Sequence, residues 1–169
     1  MDIITEEVVE ETWQETGGFS SKRAKKEMAK VGKRQPNLLA FVAEFIQDLN
    51  VEVQGLAFYM LFVIYRMFEK SAPQKIKKIT EEEIIHCHER NEAFIESLKD
   101  THNRFFERIA RVQLSSQPYV MKYVTETLIE APEEQDPVPL TEDDTGYLFL
   151  IFKTVVDVLN EKTKSAASG

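Results

Sequence analysis

From Val53 to Tyr65 the chain carries no charged side chain, and within Gly55 to Phe68, reading GLAFYMLFVIYRMF, Arg66 is the only one. At 1.5 Å per residue the uncharged run makes an apolar helix of roughly 20 Å. A membrane span needs about 20 such residues, and Arg66, Glu69 and Lys70 end the run earlier. A helix buried on nearly all sides is therefore expected. It must be surrounded by other helices, or by a second copy of the chain.

The rest of the pattern is amphipathic and helical. Thr5 can cap a first helix in which Val9 and Trp13 fall one turn apart, and Gly17-Gly18 stops it. Ser20 or Ser21 opens a second, with Ala24, Met28 and Val31 on one narrow stripe, Lys22, Lys26 and Lys33 opposite, and Gly32 as its expected end. Pro36 suits the first turn of a third helix, which carries Leu38, Phe41, Val42, Phe45 and Leu49 and is expected to end near Asn50, just before the apolar helix. Thr80 with Glu83 forms a capping box. From there Ile84, His88, Asn91, Ile95, Leu98, His102, Phe105, Ile109 and Val112 follow a heptad-like spacing, which leaves open one helix over 80–113 or two joined near Asp100-Thr101. Gln117-Pro118 opens a helix with Val120, Met121, Val124 and Leu128 on its apolar face. The proline-rich acidic stretch 132–140 reads as an exposed loop. Thr141 with Asp144 caps a last helix through Leu148, Phe149, Phe152, Val155, Val156 and Leu159, which is expected to fray into KSAASG.

Two halves of the chain align. At an offset of 82, Gln35-Pro36 meets Gln117-Pro118, Val42 meets Val124 and Glu44 meets Glu126; after a nine-residue insertion Gly55 meets Gly146 and Phe58 meets Phe149. The expected fold is all-α: one domain over 1–169, six to seven helices, two pseudo-repeated three-helix units (20–71 and 100–164) packed around central apolar helices.

Composition then narrows the classes. A chain of 169 residues with 43% hydrophobic and 30% charged side chains is neither disordered nor fibrous and can bury a core without disulfide or metal. Single Cys87 cannot form an internal disulfide, and MDIITEEVVEE lacks the basic and apolar regions of an export signal. A cytoplasmic setting is expected. The net charge of −8 argues against general affinity for nucleic acid or anionic lipid. The charge is uneven, however: Asp2, Glu6, Glu7, Glu10, Glu11 and Glu15 face no base in the first sixteen residues, whereas Lys22, Arg23, Lys25, Lys26, Lys30, Lys33 and Arg34 stand against Glu27 alone.

Candidate chemistry is sparse. Glu83-x-x-His86 has the spacing of di-iron carboxylate bundles, with Glu44 and Glu126 as further carboxylates, but no second Glu-x-x-His exists; residue 99, three before His102, is lysine. His86 and His88 point about 160° apart on a helix and cannot chelate one ion together. His88 and His102 share a stripe but stand roughly 21 Å apart along it. Cys87 diverges by about 100° from either histidine, so an inert thiol is expected rather than a nucleophile. There is no glycine-rich phosphate loop, no nucleophile elbow and no CxxC. No catalytic residue, metal ligand or cofactor is assigned.

The basic helix is the best functional feature. Lys22, Arg23, Lys26, Lys30, Lys33 and Arg34 are the candidate binding residues, read as a docking surface for an acidic partner or as a face neutralised by the acidic first helix. Nucleic acid is disfavoured because the segment lacks aromatic residues for base stacking. The expected function is that of a non-enzymatic cytoplasmic interaction or scaffold protein with a protein partner or self-association, a homo-oligomer, not bound to membrane. The alternatives are a metal-dependent helical-bundle enzyme using Glu83 and His86, and weak nucleic-acid binding through residues 22–34.

Overall fold

The computed structural model describes residues 2–99, 116–129 and 140–167. Among the described residues there are seven α-helices and no strand: α1 Glu6–Gly17, α2 Ser21–Arg34, α3 Pro36–Ile46, α4 Val51–Ser71, α5 Glu81–Lys99, α6 Pro118–Ile129 and α7 Glu142–Ala167. The fold is all-α, as the periodicity requires. The second half of the heptad-like pattern, from residue 100 onward, and most of the expected loop at 132–140 lie outside the described residues.

Each helix begins where its capping chemistry allows. Thr5 accepts from Val8 N, Ser20 from Arg23 N and Asn50 from Glu52 N. The Thr80–Glu83 box closes in both directions at 3.2 Å, and Asp144 N donates to Thr141 Oγ1 at 3.0 Å. Some ends differ from expectation. Gly32 does not stop α2, which continues to Arg34 until the Gln35 amide donates to Val31 O at 2.8 Å. A Cβ on Gly32 would stand 2.9 Å from Leu39 Cδ2, so its use is the close approach of α2 to α3. Helix α3 ends at Ile46 rather than near Asn50, and α7 stays helical through Ala167 instead of fraying into KSAASG. In α1 the core face is Val9, Thr12 and Thr16; both threonine hydroxyls donate to carbonyls one turn back, and Trp13 sits beside that face, 43% exposed.

Helix α4 is the centre. Val53, Ala57, the run Met60 to Tyr65, Met67 and Phe68 are all buried, and α1, α2, α3, α6 and α7 pack on it. Among the described residues it is the one helix long and apolar enough to cross a membrane, and most of its apolar stretch is buried against its neighbours, as in a core helix. Helix α7 lies beside it, burying Leu148, Phe149, Ile151, Phe152, Val155, Val156, Val158 and Leu159. Helix α5 runs against α7.

Two fully buried glutamines tie distant chain to helix starts. Gln35, preceding α3, accepts from Ile79 N through Oε1 at 2.9 Å and donates to Lys77 O through Nε2 at 2.9 Å. Gln117, preceding α6, accepts from Ile4 N at 2.9 Å and donates to Asp2 O at 3.1 Å and to Asn160 Oδ1 at 3.0 Å. Each holds an Ile-Thr-Glu-Glu sequence, at 79–82 and 4–7, just as it enters a helix.

Candidate functional site: a cationic groove

Helix α2 has one fully buried residue, Val31. Relative to Val31 its bases separate into three sets on the helical wheel. Lys22, Lys26 and Lys33 lie opposite and are exposed. Arg23, Lys30 and Arg34 lie on one flank, and with Glu27 they follow the 23, 27, 30, 34 spacing of a single helix face. Lys25 falls on the other flank. The six expected binding residues therefore do not form one surface.

Arg23, Lys30 and Arg34 meet Arg66 and Lys70 of α4 in a groove of about 330 Å³, with Phe19 and Phe62 in its wall. Both guanidinium groups at its head sit over one ring: Arg23 at 3.9 Å and Arg66 at 4.6 Å from the Phe19 centroid. Cation–π attraction of this kind holds arginines extended instead of letting them sweep solvent. Three carboxylates offset the five cations. Arg34 binds Glu69 at 2.6 Å, Lys30 binds Glu27 at 3.2 Å, and Glu15 of α1 receives both Arg66 and Lys70, the latter at 2.9 Å. The hydrogen bonds from Lys70 and Arg66 hold the Glu15 carboxyl below its usual range, and Lys30 does the same for Glu27. Arg23 has no carboxylate within ion-pair distance among the described residues.

Neutralisation of α2 by α1 is not what the structure shows. Of the first-helix acids, Glu15 pairs with α4 and Glu6 with Lys122 of α6 at 2.9 Å. Glu7, Glu10 and Glu11 are exposed and make no ion pair among the described residues, and the same holds for Lys22, Lys25, Lys26 and Lys33.

The other flank of α2 borders a second hollow, of about 300 Å³, lined by Met28, Ala29, Gly32, Leu39, Phe58 and Leu61 with Lys25 at its rim. A third, of about 480 Å³, lies between α3 and α5 and is lined by Phe41, Phe45, Ile84, His88 and the carboxylates Glu44, Glu81, Glu89 and Glu92.

The candidate metal residues are dispersed. Glu83 caps α5 and receives Lys162 at 2.9 Å, while His86 is exposed. Burial works against ionisation of Glu83, yet the bonds from Lys162 and Thr80 leave its pKa lowered. Among the described residues no three His, Cys, Asp or Glu side chains converge as metal ligands. His88 is buried, with Nδ1 3.3 Å from Thr154 Oγ1 and its ring set edge-on to Phe41 and Phe45. Its Nε2 lies 2.8 Å from Glu92 Oε1, off the line of the ring N–H, so the contact is an ion pair only when the imidazole is protonated. Cys87 is buried, and desolvation, with Asp157 and Glu161 adding to it, pushes the thiol up to about 11.

The sequence reading found Arg23, Lys30 and Arg34 but missed their partners. Phe19 and Lys70 carry no local mark of the groove; the one available signal is Arg66, the lone charge from Gly55 to Phe68. Compared with known proteins, the chain matches no protein-family model, no curated protein and no solved structure. Fold and groove together define a class, an all-helical protein with a pre-formed cationic cleft.

Proposed function

We propose that this chain is a non-enzymatic interaction protein whose α2–α4 groove receives a carboxylate-bearing segment of a protein partner. The observation that carries the reading is the convergence of Arg23, Lys30, Arg34, Arg66 and Lys70 in one groove, two of them over the Phe19 ring, with only Glu15, Glu27 and Glu69 to offset them among the described residues. Paired arginine forks suit carboxylates through two parallel hydrogen bonds each. A short acidic segment fits better than a nucleic acid, because the groove offers no free ring for bases to stack on: Arg23 and Arg66 already sit over Phe19. A cytoplasmic setting belongs to the same proposal.

Fluorescence anisotropy with a labelled Asp/Glu-rich peptide tests it. The expected result is saturable binding that weakens at least about tenfold in Arg23→Ala/Arg34→Ala, since each charge-assisted bond lost contributes about 1.5–3 kcal/mol and 1.4 kcal/mol is tenfold. Equal affinity in the variant, or tighter binding of a single-stranded oligonucleotide, overturns the reading. Against a Glu83/His86 metal enzyme stands the Glu83 carboxylate itself, which already accepts from Thr80 N and Lys162 Nζ.

The internal duplication is part of the same proposal. Its support is that Gln35 and Gln117, at the offset of 82, each hold an Ile-Thr-Glu-Glu helix entry, and that α4 and α7 pack side by side.

A further inference from the structure

Helices α3 and α5 pack against one another, and the hollow of about 480 Å³ between them carries charge of one sign. Glu44 of α3 and Glu81, Glu89 and Glu92 of α5 line it, and among the described residues no lysine or arginine does. All four carboxylates are exposed, and Glu44, Glu81 and Glu89 make no ion pair among the described residues. The apolar lining shares their faces. At 100° per residue, Glu81, Ile85, His88, Glu89 and Glu92 fall within about 100° of arc on α5, and Phe41, Glu44 and Phe45 within about 100° on α3.

His88 shows which chemistry the hollow lacks. Its side chain is more than nine-tenths buried, with Nδ1 3.3 Å from Thr154 Oγ1. That hydroxyl uses its one proton on Leu150 O, at 3.0 Å, and also accepts from Asn91 Nδ2. It can only accept from His88, which puts the ring proton on Nδ1 and leaves Nε2 of the neutral imidazole a bare acceptor. Nε2 has no hydrogen-bond partner among the described residues and stands 2.8 Å from a Glu92 carboxylate oxygen. Two acceptors thus meet with no donor between them. They meet on the hollow side of the ring, since Nδ1 points the other way, to α7.

We propose that this hollow binds a linear polyamine, a molecule of ammonium groups joined by methylene chains. An ammonium has N–H donors enough to serve Nε2 and the Glu92 carboxylate together, and Glu92, 53% exposed, has room to swing toward it. Glu81 and Glu92 stand roughly 16 Å apart along α5, a span for several ammonium groups on one extended chain. A single metal ion does not fit, because no three ligands converge among the described residues. The methylenes would cover Ile85, 45% exposed, beside Phe41 and Phe45, whose rings also attract cations. A hollow of this size is in the range of small-molecule sites. It lies apart from the α2–α4 groove, so failure of the acidic-peptide reading leaves it standing.

Isothermal titration calorimetry of the full chain with spermine, in about 0.15 M salt, tests the proposal. The expected result is saturable binding of one equivalent. Glu44→Gln/Glu89→Gln/Glu92→Gln, checked by circular dichroism for native helicity, should weaken it at least about tenfold, the loss expected for a single charge-assisted hydrogen bond. Glu7→Gln/Glu10→Gln/Glu11→Gln removes the same charge on α1, outside the hollow, and should leave the affinity nearly unchanged. In nuclear magnetic resonance the ¹⁵N signal of His88 Nε2 should move with the calorimetric midpoint, and further than that of His86, which does not line the hollow. Absence of saturation, equal losses in the two triple variants, an unmoved His88 signal, or tighter binding of a trilysine peptide than of spermine overturns the proposal.

Discussion

Replacing Gln35 by leucine isolates the contribution of a side chain that is buried yet entirely engaged. The swap keeps the volume close to native, so no sizeable cavity term enters. What is lost is the acceptor for Ile79 N and the donor for Lys77 O, both at 2.9 Å. Ile79 is buried and its N–H is left without a partner, at about 1–3 kcal/mol; Lys77 is exposed and its carbonyl can turn to water, at about 0.5–1 kcal/mol. The donor contact to Tyr65 Oη, at 3.5 Å, adds little. A loss of about 2–4 kcal/mol follows, which for a chain of 169 residues lowers Tm by roughly 4–16 °C. Urea unfolding followed by circular dichroism measures the first figure, and hydrogen exchange at the Ile79 amide localises it. A loss below about 0.5 kcal/mol, or an Ile79 amide as protected as before, would refute the idea that Gln35 fixes the entry to α5. Gln117→Leu should lose a similar amount, since it releases Ile4 N in the same way; a large inequality would count against the two halves being a duplicated unit.

Gly55 lies in α4 with nothing within 4 Å of a Cβ added to it, so Gly55→Ala should stabilise by about 0.5–1 kcal/mol, read as a rise in Tm. Glu15→Gln removes the pairs to Arg66 and Lys70 and should lose up to about 1 kcal/mol per pair at neutral pH, less with salt. Because the folded carboxyl is held below 4.5, that stability is present above 4.5 and fades as pH falls through the lowered value, so wild type and variant should converge in acid. The same variant should bind the acidic peptide more tightly, having lost the internal carboxylate that competes for the groove. Cys87, raised to about 11 from 9, stays protonated in the folded chain, so a thiol reagent at pH 8 should react only as the chain opens, and stability should decline as pH climbs from 9 toward 11.

Local chemistry was legible wherever one segment decided it. The capping box at Thr80, the Pro36 and Pro118 starts and the apolar faces of α3, α4, α6 and α7 all follow from spacing and backbone hydrogen bonding. Gly32 was misread because a glycine after a helical stretch usually stops it, whereas here the missing side chain lets α3 approach. Trp13 was read as part of the α1 stripe because threonines do not register as core residues; Thr12 and Thr16 can face inward only because their hydroxyls bond to the helix itself. The groove was half visible. Its α2 face lies within one segment, but Glu15, Phe19 and Arg66 come together across up to 51 residues of chain. Charge balance misled for the same reason: adjacent segments of opposite sign suggest mutual pairing, and only the common seat on α4 shows that both faces look outward.

Gln117 has a consequence for the order in which the chain is made. It binds Ile4 from 113 residues away. At about 5–20 residues per second, roughly 6–23 s pass between synthesis of the first-helix entry and synthesis of the side chain that fastens it. Helix α5, held by Gln35 from only 44 residues away, meets its own fastener already formed. The entry to α1 is thus made long before the side chain that fastens it, and until then α1 is held by its packing on α4 and by the Glu15 pairs to Arg66 and Lys70.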